Sequence, residues 1–255
     1  MHKTTKKINI AGDLFCDTKI NYSNLDIVFD KYSSSDTPLI LNLEGSINFD
    51  NSFIQRNKSI PLSLDISLLD YISNYNVVIS LANNHSLDFG ANSLRKLIHL
   101  LDERSIAYFG VADCSDISKV YKYLGNDNCG NPIIIAGSGW SHEQVITNYR
   151  NGFRFIEFDY IHLKNLFEHI TFHFKKPKVF LYAHYGYEYE YWPLPLHVEL
   201  ARSLVDIGYS GIFGSHTHTI QAKEKWREMP VYHGLGNLFF LSLIHISEPT
   251  RLHGI

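Results

Sequence analysis

Short apolar runs alternate along this chain with segments whose apolar residues recur at helical spacing, and that alternation restricts the fold more than any other feature. Residues 8–11, 39–43, 77–81, 108–111, 133–136, 179–183, 212–213 and 231–233 read as strands. Between them, Leu64, Leu68, Leu69 and Ile72 have helical spacing, as do Leu94, Leu97, Ile98 and Leu101 at i, i+3, i+4 and i+7. Leu163, Leu166, Phe167 and Ile170 repeat it, and Leu200, Leu204 and Ile207 mark a last helix. A 3.6-residue period buries one face of a helix, whereas a short unbroken apolar run suits a strand covered on both faces. Strand alternating with helix predicts an α/β layered fold. In such folds the functional side chains gather on loops beyond the strand ends. A length of 255 residues favours one sizeable domain.

Five polar motifs stand where those loops should be. Gly12-Asp13 follows the first run, and Asn42-Leu43-Glu44-Gly45 closes the second. Asn83-Asn84-His85 follows the third, with Asp88 three residues on; His184 ends the run at 179–183; Gly214-Ser215-His216-Thr217-His218 follows the run at 212–213. Carboxylate, amide and imidazole groups together suit hard or borderline divalent ions. Two ions about 3.5–4 Å apart can share a bridging carboxylate and lower the pKa of a water between them. His216 and His218, at i and i+2, either share a face in an extended segment or reach two different ions from a sharp loop. The amide of Asn84 offers a neutral oxygen ligand. His85, pointing elsewhere, is placed to protonate a leaving group or steady a transition state. His142, His197 and His233 lack such a frame and read as structural. The aromatic run from Tyr185 to Trp192 reads equally as a substrate wall or as interior packing.

Strand-GD, strand-NLE, SLANNHSLDFG, AHYGYEYEYWP, strand-GxHxH and a late GLGN together resemble the CapA (poly-γ-glutamate capsule biosynthesis) family, from about residue 9 to 240. The family is similar in layout to the calcineurin-like metallophosphatases. The resemblance implies an αββα sandwich of four layers with a site for two divalent ions (Mn, Zn, Fe or Mg). It implies Asp13, Glu44, Asn84, His184, His216 and His218 as ligands and His85 as the catalytic histidine that binds no metal. It makes Glu188 a hydrogen-bond partner of His184 and puts Asn237 close to the site; Asp88 reads from its loop as an anchor in preference to a ligand, and Tyr189 belongs to the aromatic run as a substrate-contact candidate. Substrates of phosphoester, polyglutamate or glycan type are implied, with hydrolysis of a phosphoester or amide as the reaction. A non-catalytic, metal-binding accessory subunit of a polymer synthase is the alternative, and a mononuclear site is a third reading. Two positions depart from the wider phosphatase pattern: Phe15 stands where Asp-x-His has its histidine, and the bridging carboxylate is Glu44 in place of an aspartate; Ser215 and Thr217 stand where family members often carry histidine and proline.

Charge excludes one class of partner. Lysine and arginine total 23 against 26 acidic residues, a net charge of -3, and the basic residues cluster only at Lys3, Lys6 and Lys7. A nucleic-acid footprint needs a concentrated positive excess. Cys16, Cys114 and Cys129 form no CxxC pair, and their odd number argues against a secreted disulfide framework. The opening MHKTTKKINIAGD enters a strand pattern without an apolar leader core, and no apolar run approaches the ~18 residues of a membrane span. A cytoplasmic protein is expected, with any membrane association made through a partner. From residue 241 the text LSLIHISEPTRLHGI leaves the preceding pattern and reads like a translated sequencing adapter. The expected domain is therefore 1–240, with 241–255 as a non-native tail.

Overall fold

The computed structural model describes residues 7–49, 61–113, 116–140 and 152–241. In chain order its elements are β1 (Asn9–Cys16), α1 (Ser23–Tyr32), β2 (Leu39–Leu43), α2 (Ile66–Ile72), β3 (Val77–Ser80), α3 (Gly90–Glu103), β4 (Ala107–Phe109) and β5 (Ala112–Asp113). After a 3-10 turn at Ile117–Val120 come β6 (Tyr121–Asn126), β7 (Pro132–Gly139), β8 (Phe153–Arg154), α4 (Tyr160–His173), β9 (Lys178–His184) and α5 (Pro195–Ile207). The described chain closes with β10 (Gly211–Ser215), β11 (Lys223–Trp226), β12 (Met229–Tyr232) and β13 (Asn237–Leu241).

Two sheets carry the fold. One is parallel throughout, in the order β13-β1-β2-β3-β4; the other is mixed, in the order β11-β12-β10-β9-β7-β6. Strand alternation sorts their side chains into layers. On β2, Leu39, Leu41 and Leu43 enter the cluster shared with Phe29, Leu68, Leu69, Leu94 and Leu97 of the first three helices. Ile40, between them, faces the other sheet. On β9, Val179, Leu181 and Ala183 pack with Leu163, Leu166, Ala201 and Leu204 of α4 and α5, while Tyr182 turns inward. Ile40, Val78 and Phe109 thus meet Ile135, Tyr182 and Phe213 in an inter-sheet core, and the Tyr182 hydroxyl donates to the Ala11 carbonyl at 2.8 Å. The result is the four-layer αββα sandwich. The same parity turns Asn42, two residues beyond Ile40, and His184, two beyond Tyr182, toward the gap between the sheets.

The eight expected strands and four expected helices all form, with ends displaced by a few residues. His233, for example, falls in the loop after β12. The elements without a sequence signal are instructive. β6 and β11 are edge strands bearing Lys122, Lys223 and Lys225; lysine blunts an edge and erases the apolar run that a buried strand shows. β13 lies in the sheet opposite β12, so the short stretch between them crosses from one sheet to the other. It ends at Leu241, in register with Cys16, one residue past the expected boundary. Residues 242–255, Cys114 and His142 lie outside the described residues, whereas Cys16 and Cys129 are free thiols.

Helix α5 starts on Pro195 in its first turn and stops at Gly208, whose φ of +126° favours glycine. Its His197 is 3% exposed, with its ring 4.8, 5.1 and 5.9 Å from those of Trp140, Tyr185 and Phe158. Burial, reinforced by nearby His233, pushes the His197 pKa down to about 4. An unfolded chain takes up this proton near pH 6.5. Between these values the unfolded state binds more protons, so stability falls as pH drops through the window. The loss should reach on the order of 3 kcal/mol. Urea melts of His197→Phe, which keeps the ring and removes the proton site, should show a flatter profile between pH 6.5 and 4 than wild type.

Candidate metal centre

The polar strand ends of both sheets converge on one buried cluster. Asp13, on β1, is fully buried; its pair with Asn237 of β13 lies beside a register shift between Asp13 and Leu14. Glu44 follows β2 and is also fully buried. Asn84 and His85, 4% and 7% exposed, sit on the loop after β3. His184 ends β9 and pairs in register with Ser215 at the end of β10; His216 and His218 follow on the next loop.

Distances define two ligand groups. Oxygen or nitrogen atoms of Glu44, His184 and His216 lie within 4.8 Å of one another, and so do those of Asp13, Glu44 and His218. Glu44 belongs to both. Its Oε1 lies 3.7 Å from His184 Nε2 and 3.8 Å from His218 Nε2, while Asp13 Oδ2 lies 3.8 Å from His218 Nδ1. These separations exceed a hydrogen bond, yet they fall below twice the ~2.0–2.2 Å of a metal–nitrogen or metal–oxygen bond. A divalent ion fits between Glu44 Oε1 and either Nε2, and the mixed oxygen and nitrogen donors suit one. Asn84 Oδ1 lies 2.9 Å from His184 Nε2, on the side where that nitrogen approaches Glu44.

The surrounding hydrogen bonds fix which atoms face inward. His218 Nδ1 donates to Asn237 Oδ1 at 2.8 Å, which leaves Nε2 as the unprotonated atom toward Glu44. His184 Nδ1 has Ser215 Oγ at 3.0 Å and the Asn42 amide at 3.3 Å, which hold the ring with Nε2 toward Asn84 and Glu44. Asn42 Nδ2 donates to Asp13 Oδ1 at 2.8 Å, and Asn83 in turn donates to Asn42 Oδ1 and the Leu43 carbonyl. The His216 N–H donates to Asp13 Oδ2 at 3.1 Å. Burial nevertheless raises the Asp13 carboxyl above its ordinary value, outweighing the lowering by His218, the Asn42 amide and His216.

His85 faces the same carboxylate, its Nε2 being 3.8 Å from Glu44 Oε1. Its Nδ1 donates to Asp88 Oδ2 at 2.6 Å, and that oxygen also accepts the Leu62 N–H at 2.8 Å. Asp88 therefore anchors the loop and orients the imidazole. Glu188 is exposed; Asn42, Ser215 and Asn84, not Glu188, surround the His184 ring. Tyr189 reaches the rim, its ring 5.9 Å from that of His218. At the position of the missing Asp-x-His histidine, Phe15 is fully buried and packs 4.9 Å from Phe240, which in turn meets His218 at 4.7 Å. The orienting roles of Asn42 and Ser215 escaped the motif reading. A polar residue inside a buried strand was their only signal, since such a group needs a partner.

The backbone is strained here. His216, His218 and Tyr189 have φ of +90°, +55° and +62°. Such values cost about 1–3 kcal/mol each for residues with a Cβ and cluster at functional sites. The positive φ values turn the loop sharply, so that His216 and His218 reach different ligand groups.

The fold is thus an αββα sandwich with carboxylate, amide and imidazole groups gathered at its strand ends. The sequence relationships are more specific. The chain belongs to the bacterial capsule synthesis protein PGA_cap family, whose model matches residues 7–242. It is 27% identical over 175 residues to the capsule biosynthesis protein CapA of Bacillus anthracis, covering 64% of this chain and 40% of that protein. It is 23% identical over 205 residues to the PGA biosynthesis protein CapA of Bacillus subtilis (strain 168), covering 78% and 52%. The chain thus spans about half the length of these relatives or less. A 5'-nucleotidase precursor from Thermus thermophilus superposes with a TM-score of 0.48 at 17% identity, covering 82% of this chain and 42% of that one. No helix among the described residues is long and apolar enough to cross a membrane.

Proposed function

We propose that the chain is a metal-dependent hydrolase acting on a phosphoester or amide in capsule or poly-γ-glutamate polymer metabolism. The observation that carries this reading is the position of Glu44, shared by two ligand groups. Asp13, Glu44 and His218 would hold one ion, and Glu44, Asn84, His184 and His216 the other. Bound there, two divalent ions would supply an acidified water and polarise the scissile group. The protein's own contribution is positional. Asp88 holds His85 Nδ1–H, so His85 presents Nε2 to the centre, placed to give a proton to the leaving oxygen or nitrogen. Asn237 leaves the His218 lone pair on Nε2, and Ser215 helps to hold the His184 ring in place. Burial of Asp13 and Glu44 excludes bulk water and strengthens every charge interaction in the site.

The test is elemental analysis run beside hydrolysis of a generic phosphodiester and phosphomonoester. Wild type is expected to hold about two ions per chain. His216→Ala should lose metal and activity together. His85→Ala should keep the metal and lose about a hundredfold or more in turnover, and Asp88→Asn about tenfold to a hundredfold. Wild-type protein without metal above background would sink the assignment. The buried Phe15 at a ligand position favours a second reading, a metal-binding accessory subunit of a polymer synthase. Metal-replete wild type that turns over neither substrate, yet copurifies with a synthase, would support it.

A further inference from the structure

The aromatic run after His184 is not interior packing. Tyr185 is buried, 1% exposed, but Tyr187, Tyr189, Tyr191 and Trp192 are 40%, 62%, 70% and 78% exposed. Four exposed rings within six residues are a large apolar display, and exposed aromatic surface of this kind marks a contact site. The loop that bears them is held in place. The Tyr189 N–H donates to the Thr217 carbonyl at 2.8 Å, between the two histidines of the ligand loop. Thr219 Oγ1 and Gln221 Nε2 both donate to the Glu190 carbonyl, at 2.7 and 2.9 Å. Tyr187 leans edge-on against Trp140 at 5.2 Å, and Tyr189 lies beside His218. The platform is therefore continuous with the metal centre and tied to the same loop.

Charge selects what can lie on it. The segments 13–17, 42–49, 81–90, 184–196, 214–221 and 233–241, which carry the site and the platform, contain no lysine or arginine. Exposed Glu188 and Glu190 alternate with the tyrosines. A polyanion such as poly-γ-glutamate, with one free carboxylate per residue, would meet repulsion from Glu188 and Glu190 with no lysine or arginine in these segments to offset it. An uncharged pyranose chain would not. Its axial C–H groups present a flat apolar face that covers an aromatic ring, while its hydroxyls reach tyrosine hydroxyls and the two glutamates. We infer that the loop carrying Tyr187, Tyr189, Tyr191 and Trp192 is a stacking site for an uncharged glycan chain beside the ligand loop. The inference stands apart from the hydrolytic reading.

Trp192 is the most exposed of the three tryptophans, so its fluorescence reports on the platform. The experiment titrates the metal-stripped full chain with chitohexaose and cellohexaose, and separately with poly-γ-glutamate oligomers, at physiological salt. Saturable binding of a neutral oligosaccharide, with a blue shift of the emission, is expected. Calorimetry on Trp192→Ala and Tyr191→Ala should show about fivefold weaker binding, with unchanged melting temperature because both side chains are exposed. Absence of binding by either sugar at millimolar concentration would overturn the inference. So would binding that both variants retain in full, preferential binding of poly-γ-glutamate, or a wild-type dimer that Trp192→Ala dissolves. Because the ions are absent from the titration, failure of the hydrolytic reading leaves its outcome unchanged, and failure of stacking leaves metal-dependent turnover of generic phosphoesters untouched.

Discussion

Replacing Glu44 by alanine is expected to empty both metal positions at once and to lower turnover by on the order of a thousandfold. The reason is geometric. Glu44 Oε1 stands 3.7 Å from His184 and 3.8 Å from His218, so its carboxylate is common to the two ligand groups. His216→Ala removes a ligand from one group and His218→Ala from the other. Each should leave about one ion per chain, where Glu44→Ala leaves about none. The same series has a stability readout. Ions that bind only the folded chain stabilise it by about 2.7 kcal/mol at a hundredfold excess over Kd. Chelation should therefore lower the melting temperature of wild type and leave that of Glu44→Ala unchanged. Equal metal loss in all three variants would instead indicate a single ion.

Alanine at Gly12 or Gly214 is expected to destabilise the fold by about 3–5 kcal/mol and to cost the site its metal. A Cβ on Gly12 would lie 1.7 Å from the Gly236 carbonyl oxygen, and one on Gly214 would lie 2.0 Å from the His233 carbonyl oxygen. Both contacts are with backbone, which no rotamer change can relieve. The stretch from His233 to Gly236 is where the chain crosses between sheets. It is pinned by the Leu235 N–H donating to the Gly214 carbonyl and by the Asp13 N–H donating to the Gly236 carbonyl. Pushing it away moves Asp13 and Asn237 together, one a candidate ligand and the other the partner of His218. Gly130→Ala is the control. It meets nothing within 4 Å and bears only the strain of its positive φ, so it should lose about 1 kcal/mol and no metal. Chemical denaturation with metal content on the same samples checks all three.

The layers were legible because burial leaves a periodic trace. A strand covered by helices on one face and by a second sheet on the other must be apolar at every position, as Leu39, Ile40 and Leu41 are. The helices show their stripe for the same reason. Edge strands β6 and β11 leave no such trace, because only one of their residues is buried. Within the site, the candidate ligands could be named from residue type alone, since few side chains bind cations and these ended apolar runs. Glu188 read like a partner for His184, but the strand parity of β9 and β10 gives that place to Ser215.

What the amino-acid sequence determined by itself was therefore the alternation of buried strands and amphipathic helices, and the kinds of donor at the strand ends, because each is written in local periodicity and side-chain chemistry. Tertiary structure decided the rest: that β13 crosses into the first sheet, that Glu44 is common to both groups, that His216 and His218 part at strained backbone, and that the tyrosines face outward. Those outcomes depend on contacts between residues far apart in the chain, such as His184 with Asn84 or His216 with Asp13, and no local pattern encodes a distance between two strand ends.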